Sequence, residues 1–173
     1  MTRLLQILPL LLLLLLSGCA NESPVSDYVA QIRIEMPESP EGDTTTARVT
    51  QVIDGDTIRV EISGNVYSVR YIGIDTPERN QNGYAEATDI NSELVLGQTV
   101  ELEKDVSEVD QYGRLLRYVW VDGQMVNAVL VGLGYAESVV YRPDMLYADD
   151  FAEIESYARE NGSGLWKYQW FGR

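Results

Sequence analysis

Three runs rich in β-branched residues, Ala47–Ile53, Thr57–Ile62 and Val66–Ile74, are separated only by Asp54-Gly55-Asp56 and Ser63-Gly64-Asn65. Connections this short, built from Asp, Asn and Gly, make each strand fold back on the one before. The segment therefore reads as a three-stranded antiparallel meander, whose two edges must be covered or closed. The rest of the chain supplies the means. Tyr84–Leu96 reads as a helix with Ala87, Ile90 and Leu94 on one face, ended by Gly97. Gln98–Glu103 and Arg114–Val121 read as two more strands. Gln124–Leu133 and Ala148–Glu160 read as helices, the second with Phe151, Ile154 and Ala158 at helical spacing. The expected architecture over residues 47–173 is α+β, mainly β: a five-stranded Greek-key barrel of the OB type with three helices.

Two different segments precede this domain. Met1-Thr2-Arg3 leads into the almost unbroken apolar run Leu4–Leu16 and then Ser17-Gly18-Cys19. A charged start, a short apolar stretch and small residues make a secretory signal. The run is shorter than the ~20 residues a spanning helix needs. Leu16-Ser17-Gly18-Cys19 resembles the bacterial lipobox, so residues 1–19 are expected to be a lipoprotein signal peptide ending at Cys19, the lipidated residue. Residues 20–46 carry Pro24, Pro37 and Pro40, with six acids against Arg33 alone. That composition predicts an acidic, flexible tether, with Tyr28–Met36 a weak candidate for an added strand. The expected location is the cell envelope, outside the cytoplasm, with a lipid anchor in a membrane. Ala20 after Cys19 points to an outer membrane where one exists.

Composition narrows the chemistry. The chain has one Cys and no His. A Ser-His-Asp or Cys-His site cannot be assembled, nor a structural zinc site, nor an internal disulfide. Carboxylates, Arg, Tyr and a hard cation remain.

Strand periodicity places charge where apolar residues are expected. Asp56 is in phase with Ile58, Val60 and Ile62; Arg70 is in phase with Ile72 and Ile74; Arg114 is in phase with Leu116, Tyr118 and Trp120. Buried charge must be paired or must hold an ion, so these groups are expected around a polar ligand at the barrel mouth. Asp75-Thr76-Pro77-Glu78 follows the third run, and Pro77 stiffens the exit. Asp56, Asp75 and the Thr76 carbonyl suit Ca²⁺ as oxygen ligands. Arg70 and Arg114 suit a phosphate, and Glu78 suits activation of a water. Together they describe phosphodiester hydrolysis. Singly, each has a plainer reading: a hairpin turn for Asp54-Gly55-Asp56, a loop or helix start for residues 75–78, a surface ion pair for either arginine.

Taken in order, these segments resemble the staphylococcal nuclease (thermonuclease) family. The matching residues are Val52–Thr57, Arg70–Glu78, Asp110–Arg114, Met125-Val126-Asn127 and Tyr141-Arg142-Pro143. The resemblance runs from about Ala47 to Trp166. It implies an OB-type barrel and calcium-dependent cleavage of DNA and RNA to products with 3′-phosphates. It implies that Asp56, Asp75 and Thr76 hold the metal, with Asp54 behind them. Arg70 and Arg114 would grip phosphate, Glu78 would be the general base, and Tyr112 and Tyr141 would flank the substrate pocket. Gln111 and Val139 depart from the pattern, standing where Lys and a second pocket Tyr are usual. The loop Arg79–Gly83 is short and lacks Lys. A second class of function stays open, a catalytically silent OB-fold module that binds nucleic acid or a protein. A monomer is expected.

From Ala47 onward the chain has 11 basic and 21 acidic residues, the opposite of a nucleic-acid binder's usual balance. Lys is limited to Lys104 and Lys167. The balance fits a saline habitat, where screening shrinks to a few Å. Cleavage of single-stranded DNA is therefore expected to be at least as fast at ~2 M salt as at ~0.1 M, because salt screens repulsion here rather than attraction. A rate that falls steadily with salt would contradict this.

Overall fold

The computed structural model describes residues 24–171. The signal sequence and Cys19 lie outside the described residues. Strands β1 (Thr44–Val52), β2 (Thr57–Ile62) and β3 (Asn65–Tyr71) form the expected meander. β4 (Ile74–Asp75) follows, then helix α2 (Tyr84–Val95), strands β5 (Thr99–Glu103), β6 (Leu115–Val121) and β7 (Gln124–Met125), and helix α3 (Val126–Gly132). β8 (Glu137–Ser138), helix α4 (Ala148–Glu160) and a 3₁₀ turn over Gly164–Tyr168 complete the order. A further short helix, α1 (Pro24–Val29), precedes the barrel.

The strands run β3-β2-β1-β5-β6, and a parallel pairing of β3 with β6 closes the ring. The expected five-stranded α+β barrel is what forms. Register identifies its inner face. Val49 faces Val60, Ile58 faces Val69, Ala47 faces Val100, and Leu102 faces Val119. All eight are almost wholly buried. Burial of this much branched aliphatic surface is the main term holding the ring together.

One expectation about faces is inverted. Val119 lines the barrel, so Tyr118 and Trp120 lie on the opposite face of β6. There Tyr118 packs edge-on against Tyr147 (4.8 Å between ring centres) and against Phe151 of α4 (6.0 Å). Arg70 pairs with Leu116 across the closing seam and shares that outer side. The signal failed because β6 is buried on both faces, and alternation separates in from out only where one face is wet. The third run also breaks earlier than expected. Gly73 adopts φ +76°, and a Cβ there would lie 2.6 Å from the Phe151 ring. β3 ends at Tyr71, and Ile74–Asp75 pairs with β8 instead.

Where a free tether was expected, residues 24–43 pack on the domain. Val25 and Ile32 join the core, and Gly132 leaves room for Ile32. The fully buried Glu103 carboxylate fastens the far end of this segment. It accepts from the backbone N–H of Glu41 (2.8 Å) and Gly42 (2.7 Å), from Trp120 Nε1 (2.9 Å) and from the Tyr147 hydroxyl. Such a charge is tolerable because its oxygens are met by donors.

Asn127, fully buried on α3, bridges two parts of the barrel wall. Its Oδ1 accepts from Val119 N–H and its Nδ2 donates to the Ile72 carbonyl, each at 2.9 Å. Asn127→Ala leaves both backbone groups buried and unpaired. It is expected to cost about 2–4 kcal/mol in denaturant unfolding, and a loss below about 0.5 kcal/mol would show the clip to be dispensable.

Candidate active site

The turn between β1 and β2 is shaped by its own side chains. Asp54 Oδ1 accepts from the Asp56 N–H (3.2 Å), an Asx turn. Gly55 permits a close approach, since a Cβ there would sit 2.7–2.8 Å from the Thr76 side chain. Thr76 donates to Asp56 Oδ2 through its N–H (2.9 Å) and its hydroxyl (2.8 Å). The turn bearing Asp56 and the segment bearing Thr76 are thus locked together. Helix α2 grips the same turn: Asn91 Nδ2 donates to the Asp54 carbonyl and its Oδ1 accepts from the Tyr71 hydroxyl, both at 2.9 Å.

Arg70 joins the two candidate metal carboxylates. Its Nε lies 3.1 Å from Asp56 Oδ1 and its Nη2 lies 2.7 Å from Asp75 Oδ1. Its Nη1 donates to the carbonyls of Tyr71 and Ile74 (2.7 and 2.8 Å). Hydrogen bonds take both Nη1 protons and one on Nη2, while Nε is ion-paired with Asp56. Arg70 is therefore first an organiser of carboxylates, its guanidinium turned to Asp56 and Asp75 rather than presented as the free fork expected from its residue type. Arg114 is freer. Its Nε is held by Asp110 Oδ2 (2.7 Å), Nη1 reaches Thr57 Oγ1 (3.4 Å), and Nη2 is left for a ligand.

Arg70, Arg114, Tyr112 and Tyr141 line one cavity of about 440 Å³, with Arg142 beside them. Both tyrosines are mostly exposed, and Tyr112 lies beside the Arg114 guanidinium, 5.6 Å from ring centre to carbon. Glu78 is not on this wall. It sits exposed on the loop after β4, its N–H bonded to Gln81 Oε1 (2.6 Å), and its carboxylate takes no hydrogen bond from the described residues.

Sequence reasoning passed over Asp110 and Thr57 as site residues. Asp110 Oδ1 accepts from the N–H groups of Tyr112 and Arg114 (2.9 Å each), while Oδ2 holds the Arg114 side chain. Burial pushes its carboxyl up, but these bonds outweigh it and the net shift is down. The signal was present in Asp110-Gln111-Tyr112-Gly113-Arg114, an Asx turn that ends on the arginine it aims. Thr57 links Asp56 and Arg114 through its hydroxyl.

Do these residues suit a calcium ion? Asp56 and Asp75 share one intimate cation, Arg70, and Asp54 adds a third carboxylate beside Asp56, so the cluster carries excess negative charge. Burial first, then Asp54, pushes the Asp56 carboxyl up to about 6 against the pull of Arg70 and Thr76. A nearly buried carboxylate that resists ionisation is a favourable place for a divalent cation. The donors are hard oxygens, as Ca²⁺ requires. Among the described residues no three acids converge on one point, so carbonyl and water oxygens would complete the shell.

The Asp56 shift fixes a sign. With its folded pKa raised, the folded state binds more protons than the unfolded chain between about pH 4 and 6, so stability from this group rises as pH falls through that window. In metal-free buffer, wild type is expected to gain thermal stability relative to Asp56→Asn between pH 7 and pH ~4.5. Parallel pH profiles for the two proteins would remove Asp56 as the cause.

Comparison with known proteins identifies the family. The family model described as Staphylococcal nuclease homologue matches residues 68–168. Thermonuclease of Staphylococcus hyicus is 36% identical over 127 residues, covering 70% of this chain and 75% of that protein. Thermonuclease of Staphylococcus intermedius is 34% identical over 125 residues, covering 69% and 74%. The SPbeta prophage-derived endonuclease YokF of Bacillus subtilis is 41% identical over 124 residues, covering 67% of this chain but 42% of that longer protein. With more than half of its length in the family model and a third of its residues shared across most of a thermonuclease, the chain belongs to the staphylococcal nuclease family.

Proposed function

We propose that this protein is a calcium-dependent nuclease that hydrolyses DNA and RNA phosphodiesters to 3′-phosphate products, tethered to the cell envelope through a lipid on Cys19. The observation that carries the chemistry is the single Arg70 side chain ion-paired with both Asp56 and Asp75, beside a cavity lined by Arg114, whose Nη2 has no partner among the described residues. The relatives named as thermonuclease and endonuclease support the same reaction class. The tether rests on the lipobox-like Leu16-Ser17-Gly18-Cys19.

Asp56, Asp75 and the Thr76 carbonyl are the groups that would hold Ca²⁺. When bound, the ion neutralises charge on the phosphoryl oxygens. Arg114 meets those oxygens from the cavity wall, pre-aimed by Asp110, so little reorganisation is needed as charge develops. Arg70 holds the two carboxylates in place through its ion pairs. Tyr112 and Tyr141 flank the nucleotide and hold its orientation. Glu78, unencumbered on its loop, takes the proton from the attacking water. The P–O5′ bond breaks, the 5′ oxygen takes up a proton, and the phosphate stays on the 3′ side.

The test uses protein beginning at Ala20, because residues 24–43 pack on the domain. Single-stranded DNA and RNA are incubated with Ca²⁺ or EGTA. Cleavage with Ca²⁺ only, leaving 3′-phosphates, is the expected result. Glu78→Gln and Arg114→Ala are each expected to lose at least ~10²-fold in kcat. A folded protein that binds DNA but cleaves nothing under any Ca²⁺ condition would instead be a silent binding module.

A further inference from the structure

A second cavity, of about 330 Å³, lies beyond the Asp75–Arg70 ion pair. Asp75 and Thr76 form its near wall, the loop Asn80-Gln81-Asn82 its rim, and Trp170 with Phe171 its far wall. The fold builds this wall deliberately. Gln169 takes a left-handed conformation (φ +55°) after the 3₁₀ turn, and Trp170 N–H returns to the Leu165 carbonyl (3.4 Å). Leu165 in turn fills the space that a Cβ on Gly83 would need, tying the rim loop to the closing turn. Trp170 is stacked on the exposed Tyr168, ring centres 4.8 Å apart and 27° from parallel. Phe171 packs on Trp166 at 4.8 Å.

We propose that this cavity is a nucleobase subsite, which takes a base of a single-stranded substrate next to the nucleotide whose phosphate is cleaved. Three features select that ligand. The wall is aromatic and already backed by a second ring, which is the chemistry of base stacking. The rim carries side-chain amides: those of Asn80 and Asn82 form no hydrogen bond among the described residues, and Gln81 uses only its oxygen, on Glu78 N–H. Amides of this kind pair with the polar edges of bases. The charged residues present, Asp75 and Glu137, are both acidic, so a phosphate is disfavoured and an uncharged ring is accepted. A paired base inside a duplex cannot enter, so the subsite favours unpaired strands.

The proposal rests on the nuclease reading for its place beside the scissile phosphate, and the two are separable by experiment. Binding of 5′-fluorescein-labelled (dA)6 is followed by anisotropy in EDTA, where no cleavage is expected. Trp170→Ala is expected to weaken binding by about 10-fold, with Trp170→Phe close to wild type, while binding to the matching duplex is unchanged. In Ca²⁺, KM for (dA)6 rises by a similar factor and kcat does not move. Asn80→Ala combined with Asn82→Ala, two exposed loop positions, repeats the effect at about 3-fold or more without depending on the closing turn. Binding and KM within 2-fold of wild type in a folded Trp170→Ala protein, or equal losses on single strand and duplex, would overturn the subsite. Trp170-dependent binding by a wild type that cleaves nothing would retain the subsite and discard the nuclease.

Discussion

The Arg70 guanidinium is the fixed point of this molecule's chemistry. It stands at the end of β3, where the barrel closes onto β6, and caps two backbone carbonyls that the strand break leaves unpaired. In the same position it bonds Asp56 from one segment and Asp75 from the next. Removing it would leave the nearly buried Asp56 carboxylate with only the Thr57 and Thr76 donors, and breaking a buried ion pair by removing one partner is costly. The acidic cluster is therefore anchored to the end of the strand that closes the barrel.

Around that point, buried polar groups fix geometry that apolar packing would leave loose. Asn91 ties α2 to the turn bearing Asp54 and Asp56, Asn127 ties α3 to the barrel wall, and Glu103 ties the N-terminal segment to β5 and β6. Each is fully buried with its hydrogen bonds made. Aliphatic contacts inside the ring tolerate small shifts, whereas a two-ended amide does not. The helices thus act as more than covers, since two of them reach through to the strands and turn that carry the site.

The meander, the later strands and two of the helices were legible because their signals are local: β-branched runs, Gly and Asn turns, and apolar spacing. Strand phase flagged Asp56 and Arg70, but the bonding of Thr76 to Asp56 was not foreseen. Which face of β6 lines the barrel was not legible, because Val119 and Tyr118 are equally apolar and equally buried. The break at Gly73 depends on Phe151, far away in sequence, and no local pattern announces it. Residues 24–43 read as a linker since their acids and prolines dominate the composition, yet Val25 and Ile32 enter the core, Tyr28, Val29, Ile34 and Met36 pack against it, and Glu103 holds the far end. Asp110 was visible within a recognised segment, but its task, aiming Arg114, exists only once the turn is formed.

The acidic balance imposes a particular way of holding a nucleic acid. A basic protein gains affinity by displacing counterions from phosphates. This domain, with 21 acids against 11 bases from Ala47 onward, has little such gain to draw on outside the Arg70–Arg114 pair. What its surface does offer near that pair is rings: Tyr112 and Tyr141 on one side, Tyr168 and Trp170 on the other. Stacking on uncharged faces needs no phosphate attraction and is little affected by salt, whereas long-range repulsion fades within a Debye length of ~10 Å at 0.1 M. On the proposed reading, a chain of this composition draws affinity from the bases and keeps Arg70 and Arg114 for the one phosphate where charge must develop.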